Sequence, residues 1–179
     1  MRPTPICLFA VLLSLSAPLA AQDEVTAAAP SRCTAPEYRQ FDFWLGEWEV
    51  TSNETPAGTN SIVAIQGGCV LQENWQGAGP GGITGSSFNI YDRERQAWHQ
   101  TWVDASGTLL LLDGGIVDGA MVLEGERPAP GGKGIVRHRI AWTPNEDGTV
   151  RQLWEASQDG GATWSVLFDG LYQAAGDDG

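Results

Sequence analysis

The feature that most constrains the fold is a series of short segments, from Phe41 onwards, in which apolar and polar residues alternate between turn residues. Alternation with a period of two is typical of β-strands that bury one face. The sequence shows no helical pattern long enough to cross over between parallel strands, so consecutive strands are expected to pair as antiparallel hairpins. Ten strands are predicted, at 43–52, 59–66, 69–76, 83–91, 96–104, 107–113, 115–124, 134–143, 149–157 and 163–173.

The segments between these strands contain residues that tolerate positive φ angles. The predicted turns include Asp113-Gly114-Gly115, Asp118-Gly119, Asp147-Gly148 and Asp159-Gly160-Gly161. An open sheet of ten strands would expose two edges, and closure of the sheet removes both. We therefore predict an all-β fold, an antiparallel up-and-down β-barrel of about ten strands, preceded by a short helical turn at 35–40.

The first 21 residues have the order of a secretory signal peptide. A basic start at Met1-Arg2 precedes an apolar run at 6–13, and small residues follow at 17, 20 and 21. The apolar run is shorter than the roughly 20 residues that a membrane span needs. We predict a signal peptide at 1–21, a flexible lead-in at 22–36 and a β-barrel domain at 37–175. The mature protein would be exported, either periplasmic or secreted, without a membrane span.

Two cysteines, Cys33 and Cys69, remain once the predicted signal peptide and its Cys7 are removed. A pair of cysteines in an exported chain favours a disulfide, because the compartment is oxidising. The bond would tie the N-terminal arm to an early strand. The alternative is that Cys69 is a small buried residue and Cys33 an exposed thiol.

The 179-residue chain is strongly acidic, with 22 Asp and Glu residues against 10 Lys and Arg and a formal net charge of −12. Nucleic acids and anionic membrane surfaces would repel such a chain, so neither is an expected partner. The expected partner is a small-molecule ligand, and the oligomeric state is left open.

A tripeptide on the first predicted strand, Gly46-Glu47-Trp48, resembles the first-strand motif of lipocalins, in which the tryptophan closes the barrel floor. The resemblance implies a buried Trp48 with a late-strand arginine packed over its ring. Three arginines could take that position: Arg137, Arg139 and Arg151. The alternative is a core tryptophan beside a small glycine, as in any small barrel.

A second motif spans 157–164 and reads Ser-Gln-Asp-Gly-Gly-Ala-Thr-Trp. It resembles the Asp-box hairpin of sialidase-type propellers, but one copy cannot build a propeller. We expect a structural role in which Asp159 caps turn amides and Trp164 pins the hairpin to the core.

Four further stretches resemble a family of uncharacterised bacterial exported proteins with lipocalin-like folds. These are the segments at 41–48 (FDFWLGEW), 68–75 (GCVLQENW), 98–104 (WHQTWVD) and 168–172 (FDGLY). The resemblance extends over most of the mature chain and implies a calycin-type barrel. It implies no catalytic residues.

One face of several predicted strands mixes aromatic with uncharged polar residues or Glu73. If these faces point inward, they line a pocket with the usual composition of a small-molecule site. The interior of a ten-strand barrel is also wider than that of an eight-strand barrel, which favours a cavity over a solid core. The candidate ligand-binding residues are Glu73, Trp75, Asn89, Tyr91, Gln100, Trp102, Arg139, Gln152 and Trp154, with Ser87 on the same face.

An enzyme that uses the same cavity, of isomerase or hydrolase type, is the first alternative. Common catalytic motifs such as G-x-S-x-G and H-E-x-x-H do not occur. A general acid–base pair could combine Glu73 or Asp104 with His99, but no spacing singles out such a pair. The catalytic residues therefore stay unknown, and the two histidines make a metal site hard to build.

Haem binding is the second alternative, because nitrobindin-like barrels are similar in strand number and hold haem through one histidine. His138 lies on a late strand between Arg137 and Arg139, which could pair with propionates. A proximal histidine alone is weak evidence. We therefore expect no cofactor.

Overall fold

The computed structural model describes residues 33–176, so the predicted signal peptide and most of the lead-in lie outside the described residues. Ten strands form: β1 (Gly46–Ser52), β2 (Thr55–Ile65), β3 (Val70–Gly77), β4 (Thr84–Asp92), β5 (Ala97–Asp104), β6 (Leu109–Val117), β7 (Ala120–Pro128), β8 (Ile135–Pro144), β9 (Val150–Ser157) and β10 (Ser165–Ala174). Short 3₁₀ turns lie at Pro36–Arg39, Asp42–Trp44, Gln66–Gly68 and Pro130–Gly132.

Each strand pairs antiparallel with the next, and β1 pairs with β10, so the sheet closes into a barrel. At the closure Trp48 lies opposite Ala174 and Val50 lies opposite Tyr172. The prediction of an antiparallel ten-strand barrel with a short N-terminal helical turn is confirmed. No helix among residues 33–176 is long and apolar enough to cross a bilayer.

Several predicted strand boundaries are wrong: β2 begins at Thr55 rather than at 59, and β7 spans Ala120–Pro128 rather than 115–124. Two further differences concern turns. The first strand was expected from residue 43, but Asp42–Trp44 is a 3₁₀ turn and β1 begins at Gly46. The predicted turn at Asp113-Gly114-Gly115 lies inside β6, and the chain turns instead at Asp118-Gly119, where both φ angles are positive. Gly114 is required for close packing, because a Cβ atom there would meet the Val122 carbonyl oxygen at 2.1 Å.

Aromatic rings close one end of the barrel. Phe41 directly precedes the second 3₁₀ turn, and Trp44 is the last residue of that turn. Both are fully buried, and their rings stack at 4.9 Å between centroids. Phe41 also contacts Trp98 and Trp142 edge-on. We call this group of rings the floor of the barrel. The floor fills one end of the interior with rings from the N-terminal arm and from strands β5 and β8.

The predicted disulfide is confirmed. Cys33 and Cys69 are bonded, with their Cα atoms 5.1 Å apart. The bond joins the N-terminal arm to the end of the 3₁₀ turn at Gln66–Gly68, one residue before β3. The arm that carries the floor residues Phe41 and Trp44 is therefore held covalently to the barrel wall. Such a bond is typical of an oxidising compartment.

Trp48 is buried as expected, but the expectation that a late-strand arginine packs over its ring is wrong. Trp48 is only 5% exposed, and its Nε1 donates to the carbonyl oxygen of Trp44 at 2.9 Å. The three candidate arginines lie on the outer face of the barrel, where each pairs with a carboxylate. Arg137 contacts Glu124 and Glu126, Arg139 contacts Glu155, and Arg151 contacts Asp169. The strand alternation turns these odd-numbered positions outward.

The Asp-box segment closes the β9–β10 hairpin as predicted. Asp159 accepts from the Thr163 amide at 2.9 Å and from the Thr163 and Ser157 hydroxyls at 2.6 and 2.7 Å. These hydrogen bonds hold the pKa of Asp159 well below its usual range. Trp164 does not reach the core. Its ring lies on the outer face, 4.2 Å below the Arg139 guanidinium, because Trp164 precedes β10.

Replacement of Trp48 by Ala is expected to lower the free energy of unfolding by about 3–5 kcal/mol, because it leaves a cavity beside the floor. The matched change Glu47→Gln, one residue earlier on the exposed face, should cost at most about 1 kcal/mol, since the exposed Glu47 carboxylate bonds only the half-buried Ser61. Urea unfolding of both variants measures the difference. A larger loss for Glu47→Gln would contradict the assignment of faces.

Candidate functional site

The interior contains a cavity of about 220 Å³. Trp142 and Tyr172 form its base, since both line the cavity and both contact the floor residue Trp44. Leu167, which is exposed, marks where the cavity reaches the surface. The lining residues are Glu73, Trp75, Gln100, Trp102, Leu110, Ile140, Trp142, Gln152, Trp154, Leu167, Phe168 and Tyr172.

Six of the nine predicted ligand-binding residues line this cavity: Glu73, Trp75, Gln100, Trp102, Gln152 and Trp154. Asn89 is fully buried behind them and accepts from the Gln100 amide at 2.9 Å. Tyr91 lies at the floor end, where its ring contacts Tyr38 at 5.3 Å. Arg139 is on the outer face, so its placement among cavity residues is wrong. Whether the six bind a ligand stays a prediction.

Sequence reasoning missed six lining residues: Leu110, Ile140, Trp142, Leu167, Phe168 and Tyr172. The alternation of β8 indicates the inward positions of Ile140 and Trp142. Leu167 could not be found this way, because a register shift between Val166 and Phe168 interrupts the alternation of β10.

A continuous hydrogen-bond network of seven buried polar side chains runs across the interior. Its centre is Glu73, which accepts from Asn60 Nδ2 at 2.8 Å and from Ser87 Oγ at 2.5 Å. On one side, Asn60 Nδ2 also lies 3.3 Å from the Tyr172 hydroxyl, which donates to Gln152 Oε1. On the other side, Asn89 Nδ2 donates to Ser87 Oγ at 2.9 Å and Asn89 Oδ1 accepts from Gln100. The network links strands β2, β3, β4, β5, β9 and β10.

Glu73 is a buried carboxyl group at the wall of an apolar cavity. Only 4% of the residue is exposed. Burial raises the pKa of Glu73 to about 7, and the hydrogen bonds from Ser87 and Asn60 only partly oppose that rise. No arginine, lysine or histidine within the described residues pairs with it. Near neutral pH the group can therefore hold or release a proton.

Glycines keep the rings of the cavity flat against the wall. The Trp102 ring crosses Gly85 of the neighbouring strand β4, where a Cβ atom would lie 2.2 Å from it. In the same way Trp75 crosses Gly58 of β2, at 2.7 Å from such an atom. Phe168 covers Gly170 of its own strand. Because the rings occupy the space that side chains would take, they leave the centre of the barrel open.

The pairings proposed for acid–base chemistry do not form. His99 faces outward, with Nδ1 2.8 Å from Asp113 and Nε2 2.9 Å from Thr101. Asp104 caps the β5–β6 turn through Ser106 and Thr108. The alternation of β5 therefore separates His99 from the inward-facing Glu73.

His138 does not fit a haem ligand. It faces the interior, and its Nδ1 accepts from Trp154 Nε1 at 3.1 Å. That bond places the proton of the neutral imidazole on Nε2, which is buried without a partner among the described residues. Neither ring nitrogen offers a free lone pair, and both flanking arginines point outward to carboxylates. His138 also does not line the cavity.

No protein-family model matches this chain, and no curated protein shows a significant similarity to it. Within residues 33–176, no three His, Cys, Asp or Glu side chains come together to hold a metal ion. The class of protein is thus defined by the structure alone: a closed ten-strand antiparallel barrel with a polar network and an aromatic-walled cavity inside.

Replacement of Glu73 by Gln is expected to stabilise the protein above pH 7. The folded-state pKa of Glu73 is raised from 4.5 to about 7, so its contribution to stability is complete below pH 4.5 and is lost as pH rises through 7. At about 1.4 kcal/mol per pKa unit the loss is about 3–4 kcal/mol. Urea unfolding should show the variant more stable at pH 8 and nearly equal to the native protein at pH 4.5. An equal difference in the free energy of unfolding at pH 8 and at pH 4.5 would contradict the raised pKa of Glu73.

Replacement of Gly85 by Ala is expected to push the Trp102 ring off the wall and into the cavity. Gly85 needs no positive φ angle, so the effect reports the ring contact rather than backbone strain. Overpacking of this kind costs about 1–3 kcal/mol. Gly115→Ala is the control, since a Cβ atom there meets nothing within 4 Å. Urea unfolding measures the stability of both variants, and tryptophan fluorescence reports the position of the Trp102 ring. Equal stability and equal fluorescence of the two variants would contradict the contact between Gly85 and Trp102.

Proposed function

We propose that this protein is an exported β-barrel that binds a small, largely apolar or aromatic molecule in its interior cavity. The observation that carries the proposal is the construction of the cavity, whose rings rest against glycines instead of filling the space. A barrel with a purely structural role gains stability when its interior is filled to normal packing density. An open, aromatic-walled interior with a few polar groups is the composition of a small-molecule site.

The size of the cavity limits the ligand. A cavity of about 150 Å³ lined by apolar side chains holds benzene, so 220 Å³ suits one ring with a short substituent. Larger ligands such as haem would need the rings of the wall to move. The polar groups Glu73, Gln100 and Gln152 would orient the ligand.

Export is the second part of the proposal. The signal-peptide pattern at 1–21 supports it, and so does the Cys33–Cys69 disulfide. The membership of a lipocalin-like exported family, suggested by the resembling stretches, is part of the same proposal. The closed barrel and the buried Trp48 are consistent with it.

An enzyme that uses the same cavity is the second candidate, and Glu73 is the observation that favours it. A carboxyl group with a pKa near 7 inside an apolar site is suited to general acid–base catalysis. The missing element is a partner group, since both histidines lie outside the cavity. The binding function therefore has the stronger support.

The test incubates the mature protein with a cell extract and then measures its mass by native mass spectrometry. A retained small molecule supports binding, and depletion of an extract metabolite with release of a product supports the enzyme. Leu110→Trp should abolish retention because Leu110 lines the cavity. Leu111→Trp is the matched control, since its neighbour Leu111 is 48% exposed on the outer face. An unaltered mass and unaltered metabolites would reject both functions.

A further inference from the structure

The cavity contains an unbalanced acidic group. Among its twelve lining residues the only one that carries charge near neutral pH is Glu73, and none is Lys, Arg or His. The groups that hydrogen-bond to Glu73, Asn60 and Ser87, are neutral. The carboxylate therefore has donors but no counter-ion within the described residues. A buried charge without a partner of opposite sign is unfavourable, so this arrangement needs a reason.

We propose that the ligand of this cavity is a small organic ammonium ion, with its cationic nitrogen beside Glu73 and its apolar group among the rings of the wall. This inference rests on the proposed binding function and names the chemical class of the ligand. The cation would supply the counter-ion that the protein itself omits.

Glu73 keeps acceptor capacity for such a ligand. A carboxylate can accept about four hydrogen bonds, and the two from Asn60 and Ser87 leave room for an N–H donor from the cavity side. The two existing hydrogen bonds fix the orientation of the carboxylate before a ligand arrives. A hydrogen bond between ammonium and carboxylate is about twice as strong as one between neutral groups.

The aromatic wall of the cavity also favours a cationic ligand. Trp75, Trp102, Trp154 and Phe168 line the cavity around Glu73, and Trp75 and Phe168 pack edge to face at 6.1 Å. A cation near the face of an aromatic ring is attracted by the negative charge of the π system, most of all when the cation is desolvated. An aromatic wall with one carboxylate therefore suits an ammonium ion better than it suits an anion.

The net charge of the whole chain also favours a cationic ligand. The formal net charge of −12 attracts cations and repels anions. Arg137, Arg139 and Arg151 are each paired with a carboxylate on the outer face. Arg127 lies on the inward side of β7, where its charge acts on His138, but it does not line the cavity. Carboxylate and phosphate ligands have no counter-ion in the cavity.

Binding should depend on pH through Glu73. The other titratable group that faces it is Tyr172 of β10, whose pKa burial and the Glu73 charge raise well above 10, so it stays neutral. The inward residues of β2, β4, β5 and β9 near Glu73 are Asn60, Ser87, Asn89, Gln100 and Gln152, which do not titrate. On β8, burial and the nearby charge of Arg127 on β7 lower the pKa of His138, which makes no hydrogen bond to Glu73.

The experiment compares benzylamine, toluene and benzoate by calorimetric titration of the mature protein. The three probes share one ring and differ in charge. We expect benzylamine to bind about tenfold or more tightly than toluene at pH 8, and benzoate to bind most weakly. Since only the ionised form of Glu73 pairs with the amine, benzylamine should bind about tenfold more weakly at pH 6 than at pH 8.

Two variants separate the site from general charge effects. Glu73→Gln should remove the preference for benzylamine and its pH dependence while toluene still binds. Glu49→Gln removes one negative charge from the exposed face and should change neither. Toluene or benzoate binding as tightly as benzylamine to the native protein would overturn this inference and leave the proposed function standing. Failure of all three probes to bind would reject both.

Discussion

Closure of ten strands into one barrel creates an interior that is wider than strand side chains fill by alternation alone. This chain fills one end of the interior and leaves a cavity above it. The 3₁₀ turn at Asp42–Trp44 and the preceding Phe41 insert rings into one end, and the Cys33–Cys69 bond holds the arm that carries them. The polar network runs through the wall of the cavity, because Glu73, Gln100, Gln152 and Tyr172 belong to both. The position of the cavity thus follows from which end the N-terminal arm fills.

The polar network explains how such an interior stays ordered without dense apolar packing. All of its bonds except the one between Asn89 and Ser87 of β4 join side chains from different strands, so they fix register as well as satisfy polar groups. Two buried atoms next to the cavity, Asn60 Oδ1 and Trp142 Nε1, have no hydrogen-bond partner among the described residues. A half-satisfied interior is costly in a structural barrel. It is reasonable in a binding site, where a ligand or solvent completes the pairing.

The strands and half of the cavity residues could be predicted because both depend on local alternation. Glu73, Trp75, Gln100 and Trp102 follow from a period of two along a single strand. Arg139 was misplaced because its chemistry, rather than its odd-numbered position on β8, suggested a site. The Asp113-Gly114-Gly115 segment has the composition of a turn, but there Gly114 serves the close approach of β6 and β7.

The contact between Asn60, Glu73 and Tyr172 could not be predicted, because it depends on the register of barrel closure. Asn60 and Tyr172 are 112 residues apart, and only the pairing of β1 with both β2 and β10 brings them together. Reasoning from one strand at a time gives the face of each residue but not its neighbours across the barrel.

Glu73 is less favourable for the stability of the fold than a neutral residue would be at the same position. A glutamine there could accept from Asn60 and donate to Ser87, and it would carry no charge to bury. The carboxylate makes the same two contacts, yet burial raises its pKa to about 7, which means that ionisation is opposed by the folded structure. Sites that lower stability in this way are typical of function, because the unfavourable group becomes favourable once its partner binds. The neutral donors around Glu73 can orient a negative charge but cannot neutralise it, so the partner that completes this barrel has to bring a positive one.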